Sequence, residues 1–262
     1  MDPSLRTAAS GMIAQQTRIE VISNNLANVN TTGFKRSRAH FEDLLYQNVQ
    51  GATTVDTAEA ETLAPMQIGR GTRLAAVRRI DLQGPVEITG RPLDLAIEGD
   101  GYFQVELPSG RTAYTRDGSF TLSDRGSIVT SSGYALVPGV NVPEDAGTLS
   151  ISSAGVVTFT SGTSGQPMEI GRIELARFTN TAGLEALGEN LLAETPASGA
   201  PILGFAQDEG YGRILSGTLE ASNVEIVQEM VEMISALRAY EIGSRALESS
   251  EQMSEIATRL GR

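Results

Sequence analysis

Asp2 to Arg38 reads DPSLRTAASGMIAQQTRIEVISNNLANVNTTGFKRSR, a stretch that spells out a helix together with its start and its stop. Asp2 offers a side-chain oxygen to the free amides of a first turn, and Pro3 suits the first helical position, where its missing N–H costs nothing. Gly33 can take the left-handed conformation that ends a helix. Leu5, Met12, Ile19 and Leu26 recur every seven residues, a spacing that keeps one apolar seam turned towards a partner helix. The companion positions are mixed, with Ala8, Ile22 and Val29 apolar but Gln15 and Gln16 polar. Such a seam is too poor to hold a simple dimer, so another part of the chain has to cover it.

The far end of the chain supplies a candidate. Ser222 and Glu225 form an S-x-x-E capping box, from which a long helix is expected to run towards Leu260. It bears two stripes at three–four spacing. One is Val224, Val227, Val231 and Ile234; the other is Ile226, Met230, Met233, Leu237, Tyr240 and Leu247. A helix apolar on two faces must be buried on two faces. Up to Arg38 the bases Arg6, Arg18, Lys35, Arg36 and Arg38 outnumber Asp2 and Glu20, whereas the last segment carries eight glutamates against four arginines. The two ends therefore attract, and the expected result is a coiled-coil-like helical hairpin. Its seam is the valine stripe, and the second stripe is left over for other copies of the protein.

Between the helices, short β segments punctuated by Gly and Asp run from Arg73 to about Ser216. The clearest are 93–97, 102–107, 119–122, 128–130, 156–160 and 170–178. GDG at 99–101 and RDG at 116–118 read as hairpin turns, since Asp-Gly tolerates positive φ. Neither has the alternating oxygen ligands of a calcium loop. His40, Phe41, Leu44, Leu45 and Tyr46 suggest a further helical turn. The fold class is thus α+β: residues 1–38 with 217–262 as terminal helices, 39–72 as a connecting segment, and 73–216 as a mainly antiparallel β domain.

Composition narrows the function. Aromatic content is 5%, Trp is absent and Gly is 28 of 262 residues, which favours turn-rich β structure over an enzyme-sized α/β core. A net charge of -12 argues against nucleic acid, because phosphate binding needs a basic face. No apolar run is long enough to cross a bilayer, and the N-terminus lacks the pattern of a cleavable secretory signal. Zero cysteines remove disulfides and thiolate chemistry. The single histidine, His40, reads as structural, and one imidazole without a thiol builds no typical zinc site. QIGRGT lacks the Lys and the helix of a phosphate loop. Asp94, Glu98 and Asp100 are close enough to raise a glycosidase reading, but acids around Asp-Gly turns are usually solvated. No catalytic, cofactor or metal residues are expected. Asn24, Asn25, Asn28 and Asn30 crowd a helix although Asn is a weak helix former. They either hydrogen-bond to adjacent subunits or mark a frayed helix end.

ANVNTTGFK at Ala27 to Lys35, LDLAIEGDGYFQV at Leu93 to Val105, YTRDGSFTLSDRGSIVTSSGYAL at Tyr114 to Leu136 and SNVEIVQEMVEMISALRAYE at Ser222 to Glu241 together resemble the axial rod and hook proteins of the bacterial flagellum. The likeness spans the whole chain in family order. FEDLLYQNVQ at Phe41 to Gln50, with a polar insertion before QIGRG, points to the distal-rod branch. Gly243 and Arg245 stand where the family pattern favours Asn and Lys, and Tyr102 where it favours Phe. The resemblance implies a helical homopolymer with terminal helices as the inner wall and the β domain as the outer shell. Its neighbours would be proximal rod proteins, the hook protein and the bushing rings. It also implies passage through the flagellar export apparatus without a cleaved signal, and a location across the periplasm. Composition alone makes 47–64 a flexible linker; the resemblance makes it a packing element between subunits. The residues expected to carry assembly are Leu5, Met12, Ile19, Asn24, Asn25, Leu26 and Asn28 at one end, with Val224, Val227, Met230, Val231, Met233, Ile234, Leu237 and Tyr240 at the other.

Overall fold

A computed structural model describes residues 3–50, 66–143, 146–161 and 167–260. They divide into two compact units. One gathers the residues up to Leu26, Ser37–Arg78 and the chain from Ile226 onward; the other gathers Ala27–Arg36 and Arg79–Glu225.

The first unit contains α1, Pro3–Ala27, and α2, Ile226–Leu260. They run antiparallel, because partners of α1 met in descending order, Asn25, Arg18 and Met12, touch Glu229, Glu232 and Gly243 in ascending order. The expected cap at Asp2 lies outside the described residues. α1 stops at Ala27, six residues before Gly33, because Asn28 diverts the chain: its carbonyl accepts from the Thr31 N–H at 3.2 Å and its side chain from the Thr31 hydroxyl at 3.2 Å. The capping box at Ser222 does not form. Asn223 holds that stretch extended, donating from its amide to the carbonyls of Ile80 and Leu82 at 2.9 Å each and accepting from the Arg36 N–H at 2.7 Å. Ser222 instead accepts from the Val224 N–H at 3.3 Å, ahead of the helix.

The helical turn expected around His40 is a strand, Ser37–Asp43, paired with Thr72–Arg79. Ser37, Ala39 and Phe41 are partly buried while Arg38, His40 and Glu42 are exposed, the period-two alternation of a half-covered strand. Gln47–Gln50 pairs antiparallel with Met66–Ile68, placing Gln47 opposite Ile68. Gln47–Gln50 is therefore a strand where no periodicity was legible. Residues 51–64 of the insertion lie outside the described residues.

In the second unit the largest sheet runs, in spatial order, Glu185–Gly188, Leu191–Ala193, Thr112–Thr115, Tyr102–Glu106, Ala135–Val137, Ile128–Thr130 and Phe120–Leu122, all antiparallel. Glu174–Arg177 pairs with the Tyr102 end of the central strand and carries Ile202–Phe205 on its other side. Ala146–Ile151, Val156–Ser161 and Pro167–Arg172 form a three-stranded sheet; Leu95–Glu98 pairs with Arg213–Ser216, and Val86–Ile88 with Thr218–Glu220. Leu95, Ile97, Phe103, Phe120, Ile173, Leu175 and Ile214 make one core, with Phe103 and Phe120 edge to face at 5.1 Å. A second core stacks Tyr102 and Tyr114 against Phe178. Each such fully buried side chain contributes about 1.5–3 kcal/mol.

Four hairpins share one turn. At 107–111, 123–127, 130–134 and 152–156 the first N–H donates to the fifth carbonyl, and the fourth residue, always Gly, donates to the first carbonyl, all at 2.8–2.9 Å. These glycines have φ between 76 and 88°. This is a type I turn closed by a left-handed glycine bulge. GDG and RDG are not hairpin turns. The strands on either side of each do not pair with one another: GDG is a corner where the chain passes from Leu95–Glu98 to the largest sheet, and RDG connects Thr112–Thr115 to Phe120–Leu122, non-adjacent strands of that same sheet. At Gly118 a Cβ would lie 1.6 Å from the Leu95 carbonyl oxygen, which leaves room only for glycine.

Glu220 ties this unit together. Its carboxylate is buried and accepts from the Lys35 ammonium, from the Gly84 N–H at 2.9 Å, and pairs with Arg116 at 3.5 Å. Lys35 also donates to the Leu82 carbonyl at 2.7 Å, and Arg116 to the carbonyls of Ile97 and Gly99 at 3.3 and 2.8 Å. Burial pulls the Lys35 pKa below the ordinary lysine value, and the hydrogen bond and charge of Glu220 oppose that pull. Removing one partner of such a buried set leaves an uncompensated charge, whereas removing the charges together does not. Glu220→Gln should therefore lower stability in urea by about 3–5 kcal/mol. The double change Lys35→Met with Glu220→Gln should lower it by less than the sum of the two single changes.

Candidate assembly site

The acids that raised the glycosidase reading do not converge. Asp94 is buried with Arg91 at 3.7 Å from its carboxylate, and Glu98 is exposed and held by Arg213 at 2.6 Å. That hydrogen bond keeps the Glu98 carboxyl below the usual carboxylate range. A groove of about 890 Å³ in the β unit has Glu194 as its one acidic wall residue among the described residues. Tyr114, also in its wall, is pushed up to about 12 by burial first and by Glu194 second, so its hydroxyl stays protonated near neutrality. His40 is exposed on its strand. Among the described residues no three His, Cys, Asp or Glu side chains gather where they could hold a metal ion.

The helices carry the larger unmet demand. On α1, Leu5, Met12, Ile19 and Leu26 are each partly buried, and Ala14, Ile22 and Asn25 are buried. Asn25 donates to Glu229 at 3.1 Å and to the Ser37 carbonyl at 2.9 Å, and accepts from the Ser37 N–H at 2.8 Å. Its amide thus replaces a missing strand partner for Ser37, and this use inside the chain explains one asparagine of the cluster. Asn24 is exposed and Asn28 partly buried. Arg18 meets Glu232 at 3.3 Å and Lys35 pairs with Glu220, so ion pairs join the oppositely charged ends.

The face of α2 turned to α1 is not the valine stripe. Buried or partly buried positions fall at Glu229, Ala236, Gly243 and Ser250, seven residues apart, with Met233 and Leu247 beside them. Ala236 has no exposed surface, and a Cβ at Gly243 would lie 2.9 Å from Met12 Cγ. Small residues at this spacing let Met12 and its seam neighbours approach the α2 backbone. A search for large apolar side chains passes over that seam; the heptad of small and polar residues was its visible signal. Val227, Val231 and Ile234 are 71%, 62% and 50% exposed. At about 100° per residue they project, with Ile256, to the side of α2 opposite Ala236 and Gly243, and the exposed Ile242 and Met253 lie on one flank. Of the first stripe only Val224, before the helix begins, is buried. Ile226, Met230, Leu237 and Tyr240 lie exposed on the flank of α2.

A long helix that offers the solvent an apolar stripe along its length belongs to a subunit of an assembly. Comparison with known proteins agrees. Residues 5–35 match the family described as flagella basal body rod protein, 96–159 the flagellar hook protein FlgE/F/G D1 domain, and 215–260 the flagellar basal body rod FlgEFG protein C-terminal. The flagellar basal-body rod protein FlgG of Borreliella burgdorferi is 49% identical over 263 residues, covering 99% of this chain and 98% of its own. FlgG of Caulobacter vibrioides is 46% identical over 98% of both chains, and FlgG of Bacillus subtilis 38% identical over 99% of both. The chain belongs to the FlgG family of flagellar basal-body rod proteins.

Crowding the small-residue seam is the direct test of the hairpin. Ala236→Leu should destabilise the paired helices by about 1–3 kcal/mol, read as loss of the far-ultraviolet helical signal at lower urea concentration. Val231→Ala, on the open side, should change the same midpoint by no more than about 0.5 kcal/mol.

Proposed function

We propose that the chain is a structural subunit of the flagellar distal rod, a helical tube that passes torque from the motor to the hook and encloses the channel for exported subunits. The terminal helices form the inner wall and the β unit the outer shell. Each copy contacts others of its kind, with proximal rod proteins and the hook protein at the ends of the tube and the bushing rings around it. It reaches this place across the periplasm through the flagellar export apparatus without a cleaved signal. No reaction is required of it. Among the described residues no helix is long and apolar enough to cross a membrane.

The observation that carries this reading is the outward stripe of α2. Val227, Val231, Ile234 and Ile242 are exposed among the described residues of one chain, and burying each against a neighbour is worth about 1.5–3 kcal/mol, repeated in every copy. The flank residues Met230, Met233, Leu237 and Tyr240, and Leu5, Asn24, Leu26 and Asn28 of the N-terminal segment, are the remaining proposed contacts. A second reading within the family has a specific basis: the rod protein FlgF of Caulobacter vibrioides is 32% identical over all of this chain. Restoring rods to a strain that lacks its FlgG but not to one that lacks its FlgF separates the two.

An unpaired charge in a face that must become dry costs more than the contact it removes. Val231→Asp and Leu237→Asp should each abolish rods and hooks in electron micrographs of basal bodies, while tyrosine signals of the β unit melt at an unchanged temperature. Normal rods from both variants would show that α2 faces no neighbour.

A further inference from the structure

A second unfilled feature lies in the helical unit, at the base of the hairpin formed by Gln47–Gln50 and Met66–Ile68. It is a groove of about 810 Å³ walled by Arg6, Ala8, Leu44, Leu45, Ile68 and Arg70. Its apolar walls are open, with Leu45 88% and Ile68 56% exposed. Among the described residues neither Arg6 nor Arg70 makes an ion pair, and no acid lines the groove. Two cations over exposed leucine and isoleucine define what fits: an acidic element with an apolar side.

The last turns of α2 have that chemistry. Glu241 and Glu255 are neutralised on the helix by Arg245 and Arg259, each at 2.6 Å. Glu248 and Glu251 have no ion-pair partner among the described residues, and Met253 and Ile256, across the helix from Glu251, are 64% and 57% exposed. Within one chain these glutamates do not reach Arg6 or Arg70, although all four side chains are in the same unit. A second copy can supply the partners that these charges lack among the described residues of one chain.

We propose that the groove takes the end of α2 from a second copy, with Glu248 and Glu251 against Arg6 and Arg70, and Met253 and Ile256 covering Leu45 and Ile68. The contact is heterologous, groove to helix end, so it propagates along a polymer rather than closing a pair. Partly desolvated charges of this kind set register and exclude mismatched neighbours. This inference rests on the rod reading, and names one contact within it.

The absence of native cysteine makes the test direct. Cells would express two forms together, Arg70→Cys and Glu251→Cys, and their basal bodies would be purified and treated with a short bismaleimide. The expected product is a crosslinked dimer containing one chain of each kind, absent when either form is expressed alone. A chain carrying both cysteines should give a ladder of higher multiples. Crosslinking of that doubly substituted chain only within itself, or basal bodies that contain both forms and no crosslinked pair, would overturn the proposal and leave the rod reading standing. Failure to find the chain in basal bodies at all would overturn both. Charge exchange gives an independent arm: Arg70→Glu and Glu251→Arg should each lose rods, and the two together in one chain should regain them. Rods unaffected by either single reversal would also overturn it.

Discussion

A carboxylate with no route to water holds the β unit to its N-terminal segment. Glu220 sits at the end of the strand Thr218–Glu220, and through Lys35, Gly84 and Arg116 it touches three stretches far apart in sequence. The Glu220 backbone carbonyl also accepts from the Gly33 N–H at 2.8 Å. Burying three charges is expensive, and only a nearly complete set of partners makes it tolerable. The cost has a structural consequence. Gly33 must approach so closely that a Cβ would lie 2.7 Å from the Asp117 nitrogen, and its φ of 68° suits glycine. Thr32 and Ser119 both donate their hydroxyls to Asp117 at 2.8 Å, so the corner at Arg116–Gly118 and the segment around Thr32 are fixed by the same residues.

The helical unit solves a different problem. α1 presents medium-sized apolar residues at heptad spacing, and α2 answers with Glu229, Ala236, Gly243 and Ser250, which offer close approach rather than bulk. Close packing through small residues leaves most large side chains of α2 on the flank or the far side, with Met233 and Leu247 partly buried beside the seam. That division is what a polymer subunit needs. If the valines had been used inside the hairpin, the isolated chain would gain stability and lose the surface on which a neighbour can seat.

How much of this was legible follows the physics of each signal. Both helices, five of the six clearest strands and the attraction between the ends were readable, because periodicity and charge are local properties of the chain; 170–178 instead spans parts of two strands, Pro167–Arg172 and Glu174–Arg177, in different sheets. The allocation of α2's stripes was not, because it depends on which face is small rather than on which is apolar, and bulk had been taken as the mark of a seam. Gly243 was noticed only as a departure from the family pattern; its use is to admit Met12. The strand at Ser37–Asp43 was misread as helix although Ala39 and Phe41 alternate with Arg38 and His40, since Leu44–Tyr46 beyond it obscures the period. The four glycine-bulge hairpins were legible in principle from Gly at the fourth place of each turn. Glu220 was not. Nothing local distinguishes a buried glutamate from the exposed ones around it, and only long-range contact with Lys35 and Arg116 does so.

The two units also differ in how complete they are alone. The β unit meets much of its demand internally: Tyr102 and Tyr114 are stacked on Phe178, Glu220 is paired with Lys35 and Arg116, and four hairpins are closed by glycine. Among the described residues the helical unit does not, since α2 keeps an apolar stripe with Glu248 and Glu251 outside any ion pair, and Arg6 and Arg70 at the hairpin base make none either. Free energy left unspent on one chain is available only between chains. On the proposed reading assembly rests mainly on the terminal segments, and the β unit, with cores of its own, can act as a rigid body.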